Sequence, residues 1–137
     1  MSRVFIDTNI LVYAVDKDSG SKHKLAQSVL RPFFTSVNEQ PAISTQVLHE
    51  FANRLFRWGF ADEKVNRLIE PMTYWNVITN DLSLFSRGLE IKQRYQTSFW
   101  DSLILAAAIS SGASEIWSED FNTGQKYEGV VAVNPFE

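Results

Sequence analysis

The run Phe99-Trp100-Asp101-Ser102-Leu103-Ile104-Leu105-Ala106-Ala107-Ala108-Ile109 is so apolar that a helix over it must be buried nearly all round. Gly112 closes that helix. The rest of the chain alternates short β-branched or aromatic runs with amphipathic helices. Strands are expected at residues 3–6, 41–45, 75–79, 115–118 and 130–133. Between them, helices are expected at 10–15, from 22 to about Pro32, from 46 to 58, from 62 to near Pro71, and from Asp81 or Ser83 to about Tyr95. Residues 121–126 are expected to form a turn or a single helical turn. Strands separated by helices or helix pairs imply an α/β fold: a three-layer sandwich with a mostly parallel five-stranded sheet, covered by helices on both faces.

A chain of 137 residues with 45% hydrophobic content suits one domain over residues 1–137. There is no cysteine, so disulfides, thiolate metal sites and thiol nucleophiles are excluded, and any metal must be held by oxygen or imidazole. No apolar run reaches the roughly 18 residues that span a bilayer, and no signal-peptide pattern opens the chain. A soluble cytoplasmic protein is expected. The net charge of -3 argues against a broad positive surface for duplex nucleic acid, although clustered carboxylates and a bound cation would reverse the local sign.

Four acids stand where a purely structural role is hard to supply. Asp7 ends the first strand in Val4-Phe5-Ile6-Asp7-Thr8-Asn9 and can serve either as a cap on the next helix or as a metal ligand. Glu50 lies at the margin of the apolar stripe of its helix, where an exposed pair with Arg54 is the structural alternative. Asp101 has no cation three or four positions away; Ser98-Phe99-Trp100-Asp101 matches a capping box, which is compatible with metal binding. Asp120 follows the fourth strand, where a turn through Gly124 would also account for it, with Glu119 and Asn122 as competing polar groups. All four converge on one edge of the expected sheet. That oxygen-only set suits Mg²⁺ or Mn²⁺, which prefer hard ligands and keep several waters.

These residues, in this order and approximate spacing, resemble the PIN-domain ribonucleases, particularly the small single-domain VapC toxins of toxin–antitoxin pairs. The resemblance spans the chain and rests on Asp7-Thr8-Asn9, Glu50, Trp100-Asp101 and Ser118-x-Asp120. It implies a parallel five-stranded sheet, divalent-cation-dependent cleavage of RNA, frequent homodimers and a cognate antitoxin protein. It also implies that Asp7, Glu50, Asp101 and Asp120 form the acidic metal site, supported by Thr8, Asn9 and Ser118. The chain departs from the family at Asn122, where a second aspartate is common.

His23, in the charged run Lys22-His23-Lys24, is expected on a solvated helix face, and His49 on the surface or in packing. Arg54, Arg57, Lys92 and Arg94 are candidates for RNA phosphate contacts, with solvated faces as the alternative. Phe56, Trp58 and Phe60 could gather at a dimer or antitoxin surface. Two rivals fail on single positions. A haloacid-dehalogenase phosphatase needs an aspartate at Asn9, and a receiver domain needs a lysine where Asn134-Pro135 stands. The remaining alternative is a non-catalytic PIN-like module that binds RNA or a protein partner.

Overall fold

Apolar residues end abruptly at Asp7, and the backbone changes state there: β1 (Val4–Ile6) gives way to helix α1 (Thr8–Val15). The computed structural model describes residues 3–36 and 38–137. After α1 come α2 (Ser21–Thr35), β2 (Ala42–Ser44), α3 (Thr45–Arg57), α4 (Asp62–Ile69), β3 (Asn76–Ile78), α5 (Leu82–Tyr95) and α6 (Phe99–Ser110). The chain finishes with β4 (Glu115–Trp117), β5 (Lys126–Tyr127) and β6 (Val130–Val133).

The strands form one sheet in the order β3-β2-β1-β4-β6-β5, parallel except where β5 meets β6. Helices α1 to α4 pack among themselves, as do α5 and α6. Right-handed crossovers place these two groups on opposite faces. The chain moves outward from β1 to β3 and then crosses back to β4, so the order reverses between β1 and β4. A reversal of this kind opens a crevice at the carboxyl ends of the two strands.

The core is continuous through the sheet. Phe5, Ile6, Ile43 and Ile116 on the strands are fully buried, with Phe51 and Leu55 of α3, Ile91 of α5 and Leu105 of α6 packed around them. As its composition requires, α6 is buried from Ser102 to Ala108. Trp100 is the exception, 62% exposed on the first turn.

The five expected strands are all present, and a sixth joins them. β5 pairs antiparallel with β6 through a two-residue loop whose residues, Glu128 (φ 48°) and Gly129 (φ 92°), both lie in the positive-φ region. Glu128 tolerates that conformation because it is tied down on several sides. Its N–H donates to the Tyr95 hydroxyl at 3.0 Å, and its carboxylate pairs with Arg87 at 2.6 Å. The second helix also differs from expectation, since Pro32 does not end it. The proline lies within α2, on its exposed side, where solvent can satisfy the carbonyl freed by the missing N–H. Phe33 and Phe34 therefore lie within the helix, and both pack against Trp75.

Candidate active site

Sheet register brings the first acid to its partner. Ile6 pairs with Trp117, and the ladder continues one step further: the Asp7 N–H donates to the Trp117 carbonyl at 3.0 Å, and the Ser118 N–H donates to the Val133 carbonyl at 3.0 Å. Asp7 and Ser118 are thus held at the carboxyl ends of β1 and β4. The Ser118 hydroxyl donates to Asp7 Oδ2 at 2.7 Å and accepts the Asp120 N–H at 3.0 Å. One hydroxyl therefore orients two acids.

Asp7 caps α1 as well, with its Oδ1 accepting the Thr8 N–H at 2.7 Å. Capping and a site position coexist in one residue. The side chain is only 4% exposed. Burial pushes its pKa up to about 7 from an ordinary 3.8, and repulsion from Asp120 and Glu50 adds to the rise; the hydrogen bonds from Ser118 and Thr8 oppose it.

Glu50 reaches the same place from α3. Its Oε1 accepts the Thr8 hydroxyl at 2.6 Å and its Oε2 lies 3.5 Å from Gln46 Nε2, while that same amide nitrogen donates to the Trp100 carbonyl at 3.3 Å. Among the described residues Glu50 makes no ion pair. The pairing with Arg54 is therefore replaced by hydrogen bonds to neutral groups.

Asp101 enters on the first turn of α6, whose cap is Ser98: the Ser98 hydroxyl accepts the Asp101 N–H at 3.1 Å. Burial raises the Asp101 carboxyl above its usual range, with Asp120 and Glu50 contributing repulsion and Ser98 opposing. Asp120 is raised too, by burial first and then by Glu119 and Glu50, partly offset by the Asp7 carboxyl beside it. Asp120 and Glu50 thus raise the proton affinity of both Asp7 and Asp101 from separate elements, which places these acids in one electrostatic site.

That site is a cavity of about 490 Å³, lined by Asp7, Glu50, Asp101 and Asp120 together with Thr8 and Asn9. Ser118 lies behind it. The Asn9 Oδ1 atom is buried without a hydrogen-bond donor. Among the described residues, no three Asp, Glu or His side chains stand close enough to hold one ion by direct contact alone.

Several cavity residues carry little signal in the sequence. Gln46 lies one turn before Glu50 on the same helix face, and that spacing is the only hint of it. Glu119 also lines the cavity, but its carboxylate accepts from the Tyr13 hydroxyl and from Lys22 Nζ at 2.5 Å each, and the Lys22 and Tyr13 hydrogen bonds hold its pKa below the usual range despite burial. Nothing local in the sequence marks a contact between positions so far apart. Lys22 and His23 are half-exposed and make specific contacts as well as facing solvent: His23 Nδ1 lies 2.9 Å from the Tyr13 carbonyl, docking α2 on α1. Asn122 is exposed and donates to Gln125 Oε1 at 3.0 Å, outside the cavity. Of the four cations considered, Arg54 and Arg57 line the cavity, whereas Arg94 faces Glu128 at 3.5 Å. His49 is exposed in a neighbouring groove.

Residues 4–127 match the family model of the PIN domain. The chain belongs to the PIN domain family. No curated protein matches it in sequence. Solved structures do share its fold. A toxin–antitoxin complex from Klebsiella pneumoniae is similar at 24% identity and a TM-score of 0.71, covering 98% of each chain. The sarcin-ricin-loop-cleaving toxin VapC20 of Mycobacterium tuberculosis is similar at 19% identity and 0.65, over 87% of this chain and 91% of its own. VapBC2 from Rickettsia felis, bound to a DNA fragment from its promoter, gives 18% identity and 0.62 over 94% and 96%. In this PIN domain the acid cavity lies in the crevice where the strand order reverses.

Proposed function

We propose that this PIN domain is a Mg²⁺- or Mn²⁺-dependent endoribonuclease, hydrolysing RNA phosphodiester bonds, and the toxin of a toxin–antitoxin pair in the cytoplasm. The observation that carries the reading is the gathering of Asp7, Glu50, Asp101 and Asp120 around one cavity with no cation paired to any of them among the described residues. The donor set fits a hard divalent ion. All its atoms are oxygens, burial and neighbouring acids raise the proton affinity of Asp7, Asp101 and Asp120, and the orphaned Asn9 Oδ1 suits a hydrogen bond from an ion's water. Because direct contact from three side chains is not in place, the fit is to an ion that keeps much of its hydration shell, as magnesium does.

When bound, the cation supplies Lewis acidity toward the phosphate and offsets the negative charge of the acids. The chain's own residues do the rest. Ser118 and Thr8 hold Asp7 and Glu50 in fixed orientations. Asp101 and Asp120, partly exposed and raised in pKa, are placed to accept a proton from an attacking water at their carboxylate oxygens. No serine or histidine nucleophile is needed. The toxin role draws on the structural neighbours, which include toxins and toxin–antitoxin complexes. Exposed Phe56 and Trp58 offer apolar surface for an antitoxin or for a second copy in a homodimer.

Cleavage of RNA by the purified protein with Mg²⁺, with Mn²⁺ and with EDTA tests the reading, with Asp101→Asn alongside. Activity should need the cation and fall on the order of 100-fold or more in the variant, as expected when transition-state electrostatics are removed. A thermal melt should rise with Mg²⁺ in the wild type. Activity indifferent to chelation, or equal in the variant, would overturn it; RNA binding without cleavage would point to a non-catalytic binding module.

A further inference from the structure

A second depression, of about 680 Å³, adjoins the acid cavity and shares one wall with it: Gln46, Glu50, Asn53 and Trp100 line both. Its floor is aromatic. Trp100 packs on Phe99 with ring centroids 5.2 Å apart, and Phe99 packs on Phe85 at 6.0 Å, so the exposed indole is backed by two further rings. The Trp100 backbone is also fixed, because its carbonyl accepts from Gln46. An indole this exposed, on the first turn of an otherwise buried helix and one residue from Asp101, is an aromatic platform facing solvent.

The charge pattern continues on the far side of the acids. Arg54 and Arg57 line the acid cavity but not the aromatic groove, and neither makes an ion pair among the described residues. They are arginine side chains beside a cavity otherwise rich in acids, on a chain of net charge -3. A polyanion approaching those acids meets its local attraction there.

Resting on the ribonuclease reading, we propose that the aromatic groove is a nucleotide subsite: the base next to the cleaved phosphodiester stacks on Trp100, while Arg54 and Arg57 hold the backbone on the other side of the acids. Stacking asks only for a π-face, which every base presents, and an arginine guanidinium pairs with phosphate through two parallel donors. A base buried in a duplex cannot reach the platform, so the substrate is single-stranded RNA or an unpaired loop. Asn53 and His49, exposed on the groove wall, are within the same depression to meet base edges. A second copy of the chain is the less suited occupant, because seating it on a wall shared with the acid cavity would obstruct the acids themselves.

The test uses fluorescein-labelled single-stranded RNA with Mg²⁺. Binding is read by anisotropy in the Asp101→Asn protein, with and without Trp100→Ala or Trp100→Phe, and KM and kcat are measured in proteins that keep Asp101. Trp100→Ala should raise Kd and KM roughly 5- to 150-fold, the range that removal of one stacked base implies, with Trp100→Phe recovering most of it. The double change Arg54→Ala and Arg57→Ala should flatten the slope of log Kd against log salt by about 0.7 for each phosphate no longer neutralised. A matched duplex should bind more weakly and be little affected by Trp100→Ala.

Cleavage by the wild type with Kd and KM within two-fold in Trp100→Ala would overturn the subsite and leave the ribonuclease reading standing. Trp100-dependent binding without cleavage would overturn the ribonuclease reading, and with it the place of the subsite beside a cleaved bond, leaving Trp100 as a base-stacking site alone. A change of oligomeric state in Trp100→Phe, seen by light scattering, would assign the groove to a second copy and overturn the proposal. Absence of RNA binding in every protein would overturn both.

Discussion

In the absence of divalent cations, an Asp7→Asn protein should be more stable than the wild type above neutral pH. The Asp7 carboxyl is buried, and its pKa stands at about 7 instead of 3.8. A carboxyl raised in this way binds its proton more tightly in the folded state than in the unfolded chain. Its stabilising contribution is therefore complete below the unfolded value and is lost as pH rises from about 4 to about 7. The separation corresponds to about 4 kcal/mol. Asparagine has no ionised form and escapes that loss, and its oxygen can still accept the Thr8 N–H. Its amide nitrogen, however, would stand where Oδ2 accepts the Ser118 hydroxyl, leaving a buried donor without an acceptor at about 1–3 kcal/mol. The difference leaves the variant ahead by about 1–3 kcal/mol at pH 8, and near pH 4 the order reverses. Urea unfolding of both proteins in EDTA at the two pH values measures this directly, because titration of the other acids is largely common to both. A stability difference between the proteins that does not change with pH would refute the reasoning. Adding Mg²⁺ at 100 times its Kd should then stabilise the wild type by about 2.7 kcal/mol, and the variant by much less.

Ser118→Ala removes the hydroxyl that donates to Asp7 and accepts from Asp120. It should cost about 1–3 kcal/mol in denaturant unfolding and move the onset of Mg²⁺ binding, followed by calorimetry, to higher pH, because Asp7 loses the hydrogen bond that most lowers its pKa. Lys22→Met frees the Glu119 carboxylate beside Asp120; the acidic limb of the activity-against-pH curve should shift upward, and an unchanged limb would show that Glu119 does not act on the site. Gly88→Ala puts a Cβ 2.6 Å from Leu103 Cδ2 where α5 crosses α6. Overpacking there should outweigh the roughly 1 kcal/mol gained in helix propensity, giving a net loss of up to about 2 kcal/mol in thermal or urea unfolding.

The architecture is legible wherever local rules act alone. Parallel strands and their helices follow from apolar periodicity. The Ser98 and Asp81 caps follow from residue type, with their side chains accepting from Asp101 and Leu84 respectively. What escapes a sequence reading depends on groups distant in the chain. β5 needs a left-handed Glu128, which the Arg87 and Tyr95 side chains hold in place, so no local turn signal marks it. Pro32 breaks no helix because its side faces solvent, a fact of packing and not of propensity. In the site, the four acids stand out by position: two at strand ends, one at the margin of an apolar stripe and one opening a helix without a local cation. Gln46 and Glu119 do not, since an amide and a paired carboxylate look unremarkable until the fold places them.

The arrangement explains how a fold can carry an acidic cavity without being pulled apart by it. Asp7 and Asp101 stand at the amino-terminal ends of α1 and α6, where free N–H groups and the helix dipole favour negative charge by about 0.3–2 kcal/mol each. That is less than the roughly 4 kcal/mol against ionising Asp7 alone. The helices therefore do not complete the site; they reduce the deficit enough for the sheet to hold it. Under the proposed function the same deficit would give a cation its affinity, since an ion beside Asp7 would offset the buried charge that costs the metal-free protein stability above about pH 7. A variant that removes the buried charge, as Asp7→Asn does, should accordingly gain stability above neutral pH and lose cation binding together. Separation of those two effects in any single-acid variant would mean that the cavity's strain and its ion affinity have different sources.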